Sequence, residues 1–169
     1  MGCSIGGRII LHLAIHFPEK FKALIGLQSA GHIDPYYDIS WLHRQDVHGG
    51  EVCGGIAYGL MAPTSPDNDK FETMWHYMQG GPGIFKGDLF FYKFDGNIGN
   101  EIKKIDNSKC PIYLLTGEYD YSATPEETKS LADTIGIQMI KMKNVGHFPM
   151  SENPEEFLKY LHPILEKIN

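Results

Sequence analysis

The sequence predicts an α/β protein built on a parallel sheet. Three observations carry that reading: short apolar runs of strand length, a segment of helical apolar spacing paired with each, and turn signals at the joins. Residues 7–17 (GRIILHLAIHF) place Ile9, Ile10, Leu13, Ala14 and Phe17 along one helix face, and Pro18 ends the helix. Residues 22–28 (KALIGLQ) are apolar but too few for a buried helix, and Ser29, Ala30 and Gly31 break the run, so a buried strand is expected. Pro111 to Gly117 reads as a second strand. Thr124 as cap, Pro125 at the first helical position and the acids Glu126 and Glu127 then announce a helix to Ile135. Residues 137–143 alternate as a third strand. Residues 154–168 put Phe157, Leu158, Leu161, Ile164, Leu165 and Ile168 on one face of a closing helix.

Between the first two strands the texture changes. Residues 31–108 are rich in Gly and Pro with interleaved aromatics, and read as an insertion with short helices at 40–48, 52–61 and 68–79. Turn-rich connections are expected at Pro63–Asp69 and Gly80–Gly83. The chain therefore divides into residues 1–30, the insertion 31–108 and a return to the sheet at 109–169.

At 169 residues the chain has the length of one ordinary domain. Lys plus Arg (15) against Asp plus Glu (21) gives a net charge of −6, with the basic residues scattered. No footprint for nucleic acid or anionic lipid results, and a small-molecule partner is expected. No apolar run is long enough to span a membrane, and no basic-then-apolar leader opens the sequence. Met1-Gly2-Cys3-Ser4 is not a myristoylation start, because Gly6 stands where Ser or Thr is required. Cys3, Cys53 and Cys110 are odd in number and widely spaced, which suits free thiols in a cytoplasmic protein and predicts neither a disulfide framework nor a zinc site.

Gly2-Cys3-Ser4-Ile5-Gly6-Gly7 fits G-x-S-x-G at the start of an amphipathic helix. That pattern holds a serine in strained backbone at the top of a sheet, with glycines where a Cβ would collide, and aims the next N–H, here that of Ile5, at a developing oxyanion. Taken alone it is equally a glycine-rich turn. A nucleophilic serine also needs a base and a carboxylate to orient that base. Asp120 follows the strand ending in Leu115-Thr-Gly117, and His147 follows the strand 137–143, both at the carboxyl ends where catalytic groups gather in open α/β sheets. Each alone is equally a turn-forming acid or a loop histidine; the order serine, acid, histidine makes coincidence improbable.

With the elbow at Gly2–Gly7, Phe17-Pro18-Glu19, Gly117-Glu-Tyr-Asp120, Gly146-His147-Phe148-Pro149 and Glu152-Asn153-Pro154, the whole chain resembles the carboxyl-terminal part of an α/β-hydrolase. The resemblance implies an α/β-hydrolase-type parallel sheet with a mainly helical cap at 31–108. It implies Ser4 as nucleophile, His147 as general base and then acid, Asp120 as its orienter, and the Ile5 N–H as one oxyanion donor. Glu118 is a second candidate acid. In that family the elbow follows the fifth strand, whereas only Met1 precedes Gly2 here. The chain is therefore expected to lack the amino-terminal strands, and with them the loop that carries the other oxyanion donor.

The function expected is that of a serine hydrolase acting on small carboxylic esters through an acyl-enzyme, without a cofactor. Two alternatives stand beside it: a carbon–carbon bond hydrolase of the same family, and a catalytically inactive fragment or interaction module. Sites outside this constellation read more plainly. His12 and His16 stand four apart, but Leu13 occupies the place of the glutamate a metalloprotease helix needs. His43, Asp46, His48 and Glu51 suit a polar helix face better than a metal. The aromatics Trp41, Tyr58, Trp75, Tyr77, Phe85, Phe90, Phe91 and Tyr92 are expected mainly to pack the insertion, with a minority facing substrate. The strand at 23–28 carries no charge after Lys22, so an open edge there predicts a homodimer.

Overall fold

A computed structural model of the chain describes residues 1–31, 49–80 and 82–168. Among the described residues the sheet has four parallel strands in chain order: β1 (Gly2–Cys3), β2 (Leu24–Leu27), β3 (Ile112–Gly117) and β4 (Met139–Met142). Parallel neighbours need crossover connections. The crossovers are α1 (Ile5–His16), then the helices α2 (Gly49–Gly59), α3 (Asp67–Met78) and α4 (Pro82–Lys93), and then α5 (Pro125–Thr134). A single turn α6 (Pro149–Glu152) and the closing helix α7 (Pro154–Ile168) follow β4.

Strand alternation divides the core between two faces. Leu24, Ile112 and Leu114 face α1 and α5, where Ile10, Leu11, Ala14, Leu131 and Ile135 complete one apolar cluster. Ile25, Leu27, Leu115 and Met142 face α7, which contributes Phe157, Leu161 and Ile164. Thr124 caps α5 as the sequence predicts: its hydroxyl accepts from the Glu127 N–H, while the Glu127 carboxylate reaches back to the Thr124 N–H.

Several expectations need correction. The stripe on α1 is rotated: Ile10, Leu11 and Ala14 are buried, whereas Ile9 and Phe17 are exposed at 44% and 51%. Gly7 and Arg8 take the buried face instead, because the tight turn at Ser4 sets the helix phase. On α7 the buried face is Phe157, Leu161 and Ile164, and Leu158 and Leu165 lie outside it. The turn expected at Gly80–Gly83 yields at Pro82, where α4 begins, since a proline at the first helical position has its φ preset. The helix predicted at 40–48 lies outside the described residues.

The edge of β2 is only partly open. Gly2 and Cys3 pair with Gly26 and Leu27, and the Ser4 N–H donates to the Leu27 carbonyl at 3.0 Å. The half strand beside Leu24 and Ile25 has no strand on that side among the described residues. Unpaired backbone in an apolar strand recruits another strand. The 169-residue chain is accordingly expected to self-associate, and a monomer by light scattering at tens of micromolar would contradict this.

Candidate active site

Ser4 joins β1 to α1 with φ 55° and ψ −113°, a left-handed conformation costly for a residue with a Cβ. The neighbouring glycines make it possible, though not all three alike. A Cβ on Gly2 would stand 2.4 Å from the Gly6 carbonyl oxygen, and one on Gly7 would overlap the Ser29 hydroxyl and lie 2.7 Å from the Leu27 carbonyl oxygen. A Cβ on Gly6 meets nothing within 4 Å among the described residues, contrary to the expectation that every glycine of the motif is there to avoid a collision. Gly6→Ala should therefore change the melting temperature little, whereas Gly7→Ala should lower it sharply. Equal melting temperatures for the two variants would refute this geometry.

The turn puts the Ser4 hydroxyl 3.0 Å from His147 Nε2, across 143 residues of chain. His147 Nδ1 lies 2.9 Å from Asp120 Oδ2. An ionised carboxylate only accepts, so the Nδ1–H donates to Asp120, and Nε2 is left as the acceptor for the Ser4 O–H. Asp120 is 2% exposed, and its other oxygen accepts from the Ser122 and Ala123 N–H groups at 2.8 and 3.1 Å. These bonds fix the carboxylate in one orientation. Glu118 stands elsewhere: its carboxylate accepts from the Asn144 N–H at 3.0 Å. Ile5 is the first residue of α1, where amides have no acceptor within the helix, and it lines the same cavity as Ser4 and His147. Such an arrangement can move a proton from the hydroxyl to the imidazole while the carboxylate holds the ring and balances its charge.

Two residues that sequence reasoning left without a role build the histidine loop. Glu152 is fully buried, and its carboxylate accepts from the Gly146 and Phe148 N–H groups, each at 2.9 Å, on either side of His147. Its second oxygen accepts from the Ala62 N–H at 2.7 Å and the Ser65 hydroxyl at 2.8 Å, so the loop is tied to the end of α2. The His147 N–H also donates to the Leu60 carbonyl at 2.9 Å. Gln28, at φ 53°, donates from its amide to the Gly146 carbonyl at 2.6 Å and accepts from the Thr116 hydroxyl and the Gly117 N–H. A polar residue closing an apolar strand was the available signal for Gln28; Glu152 stood in the motif Glu152-Asn153-Pro154, which gave it no role.

The cavity above Ser4 measures about 200 Å³. Ser4, Ile5 and His147 line it together with Ile56, Leu60 and Tyr77. Of the aromatics of the insertion, Tyr77 and Tyr92 line it, while Tyr58, Trp75 and Phe90 are exposed. Trp41 and the side chain of Phe85 lie outside the description, as do His43, Asp46 and His48. Among the described residues no group of three or more His, Cys, Asp and Glu side chains could hold a metal ion; the rings of His12 and His16 stack at 6.3 Å. Cys3, Cys53 and Cys110 are free thiols. Burial first, then the Asp120 and Glu152 charges, push the Cys3 thiol far above its ordinary range, so beside Ser4 it stays protonated and unreactive. No helix among the described residues is long and apolar enough to cross a membrane.

No family model matches the chain, and no curated protein does. Solved structures do. The chain is 18% identical to a thermophilic esterase from Thermogutta terrifontis, with a TM-score of 0.80 over 99% of this chain and 64% of that one. A hydrolase from Pseudomonas aeruginosa is 19% identical with a TM-score of 0.75, over 97% and 63% of the two chains. An α/β-hydrolase enzyme from a Medee basin deep-sea metagenome library is 19% identical with a TM-score of 0.72, over 98% and 63%. The chain thus spans just under two thirds of the length of the structures it matches. The chain has the α/β-hydrolase fold, over the carboxyl-terminal part of it that begins at the strand-to-helix turn around Ser4.

Proposed function

We propose that the chain carries the chemistry of a serine hydrolase acting on small carboxylic esters. Ser4 is the nucleophile, His147 its base and then the acid that protonates the leaving group, and Asp120 the group that fixes the imidazole tautomer. The observation that carries the reading is the unbroken contact from Ser4 Oγ through His147 to Asp120, at 3.0 and 2.9 Å, with Ser4 held in strained backbone at a helix start. Acylation transfers the Ser4 proton to His147 and leaves an ester on Ser4, and water activated by the same imidazole removes it. The Ile5 N–H is one donor to the oxyanion. Residues 31–108 act as a cap, and the modest cavity between α2 and the Ser4 turn favours short acyl groups.

The test is a single-turnover experiment with p-nitrophenyl acetate. A burst of p-nitrophenol and an acetyl group on the Ser4 peptide are expected, both absent from Ser4→Ala. Acetylation at another residue, or an unchanged burst from Ser4→Ala, would overturn the reading.

A further inference from the structure

We propose that Tyr92 is a further catalytic residue: its phenolic O–H donates to the carbonyl oxygen of the substrate as Ser4 Oγ adds to the carbonyl carbon. This deepens the reading of Ser4 as nucleophile and rests on it.

Tyr92 lies in the last turn of α4, and its hydroxyl stands 3.0 Å from Ser4 Oγ, joining positions 88 residues apart. A serine hydroxyl has one proton to give. With His147 Nε2 at 3.0 Å as the acceptor for that proton, Tyr92 is the donor in its own contact with Oγ. Once the carbonyl carbon is bonded to Oγ, the carbonyl oxygen sits two bonds away, within reach of a phenol that already touches Oγ. In that step the Oγ–C bond forms, the Oγ proton passes to His147 Nε2, and the π pair of the C=O bond moves onto oxygen. Tyr92 keeps its own proton throughout.

The surroundings suit this task. The turn around Ser4 offers a backbone donor, the Ile5 N–H, and Tyr92 adds a side-chain donor to the same cavity, which both residues line. Arg8, one helical turn beyond Ser4, is 3% exposed and donates to the Gly31 carbonyl at 2.8 Å, which anchors a cation near the phenol. Burial pushes the Tyr92 phenol up to about 12, against the opposing effects of its Ser4 hydrogen bond and the Arg8 charge. It therefore remains a neutral donor well into the alkaline range.

The experiment compares a diethyl aryl phosphate with its thiono (P=S) counterpart on the 169-residue chain and its Tyr92→Phe variant. The P=O reagent leaves a diethyl phosphoryl group on Ser4 and the P=S reagent a diethyl thiophosphoryl group, each expelling the aryl oxide. Sulfur accepts hydrogen bonds poorly, so loss of a donor aimed at this atom hurts the P=O reagent more. Tyr92→Phe is expected to slow phosphorylation by the P=O reagent about tenfold to a hundredfold. The P=S rate should change much less, so that the ratio of the two rates collapses. That ratio is internal to each variant and does not depend on the fraction folded. An unchanged rate, or an equal loss with both reagents, would overturn the role of Tyr92 alone. Failure of either reagent to modify Ser4 in the unaltered chain would overturn the nucleophile and this inference together.

Discussion

Asp120→Asn should leave a folded chain in which acylation of Ser4 by p-nitrophenyl acetate is slower by about four orders of magnitude. The amide fits the same space, and its oxygen can still accept from the Ser122 and Ala123 N–H groups. Its NH2 then faces His147 Nδ1, which must become the acceptor. The ring proton moves to Nε2, and the Ser4 hydroxyl loses its base. Glu118→Gln is the matched control and should be near normal, because Glu118 is engaged with the Asn144 N–H. Stopped-flow measurement of the p-nitrophenol burst reads both variants. A near-normal Asp120→Asn beside an inactive Glu118→Gln would transfer the orienting role to Glu118.

Glu152→Ala should be among the most destabilising single substitutions in the chain. It strands four donors, the N–H groups of Ala62, Gly146 and Phe148 and the hydroxyl of Ser65, in a site with no exposure. Each buried donor left unpaired costs about 1 to 3 kcal/mol. Even if entering water recovers half of this, the loss is about 2 to 6 kcal/mol, out of the roughly 5 to 15 kcal/mol typical of a domain. In a chain of this size that lowers the melting temperature by at least about 4 to 8 °C. The histidine loop loses its tie to α2 at the same time, so acylation should slow even at temperatures where the variant is fully folded. A melting temperature within about 2 °C of the unaltered chain would show that the clamp is dispensable.

The sheet was legible because its strands are continuous apolar runs ending in turn signals, and because parallel order follows from the helices between them. The closing helix and the capping box on α5 were legible for a similarly local reason, since cap and proline stand in adjacent positions. Helix phase was not. The spacing of α1 allows a stripe through Ile9 and Phe17 as readily as one through Ile10, Leu11 and Ala14, and only the strained turn at Ser4 decides between them. The two-residue strand β1 escaped notice because two residues have no periodicity. At the candidate site, Ser4, Asp120 and His147 stood out as reactive types in a telling order. Glu152, Gln28 and Tyr92 were given no such role, because each acts through partners 87 to 118 residues away, and Glu152 also through backbone groups 4 and 6 residues away, and sequence shows neither.

The central claim is that Ser4 is activated by His147, and the most direct test is covalent labelling with an alkyl fluorophosphonate, with the site located by mass spectrometry of the digested chain. The account predicts a single label on Ser4, lost in Ser4→Ala and reduced to background in His147→Ala. A label on any other residue, or undiminished labelling of Ser4 in His147→Ala, would contradict it.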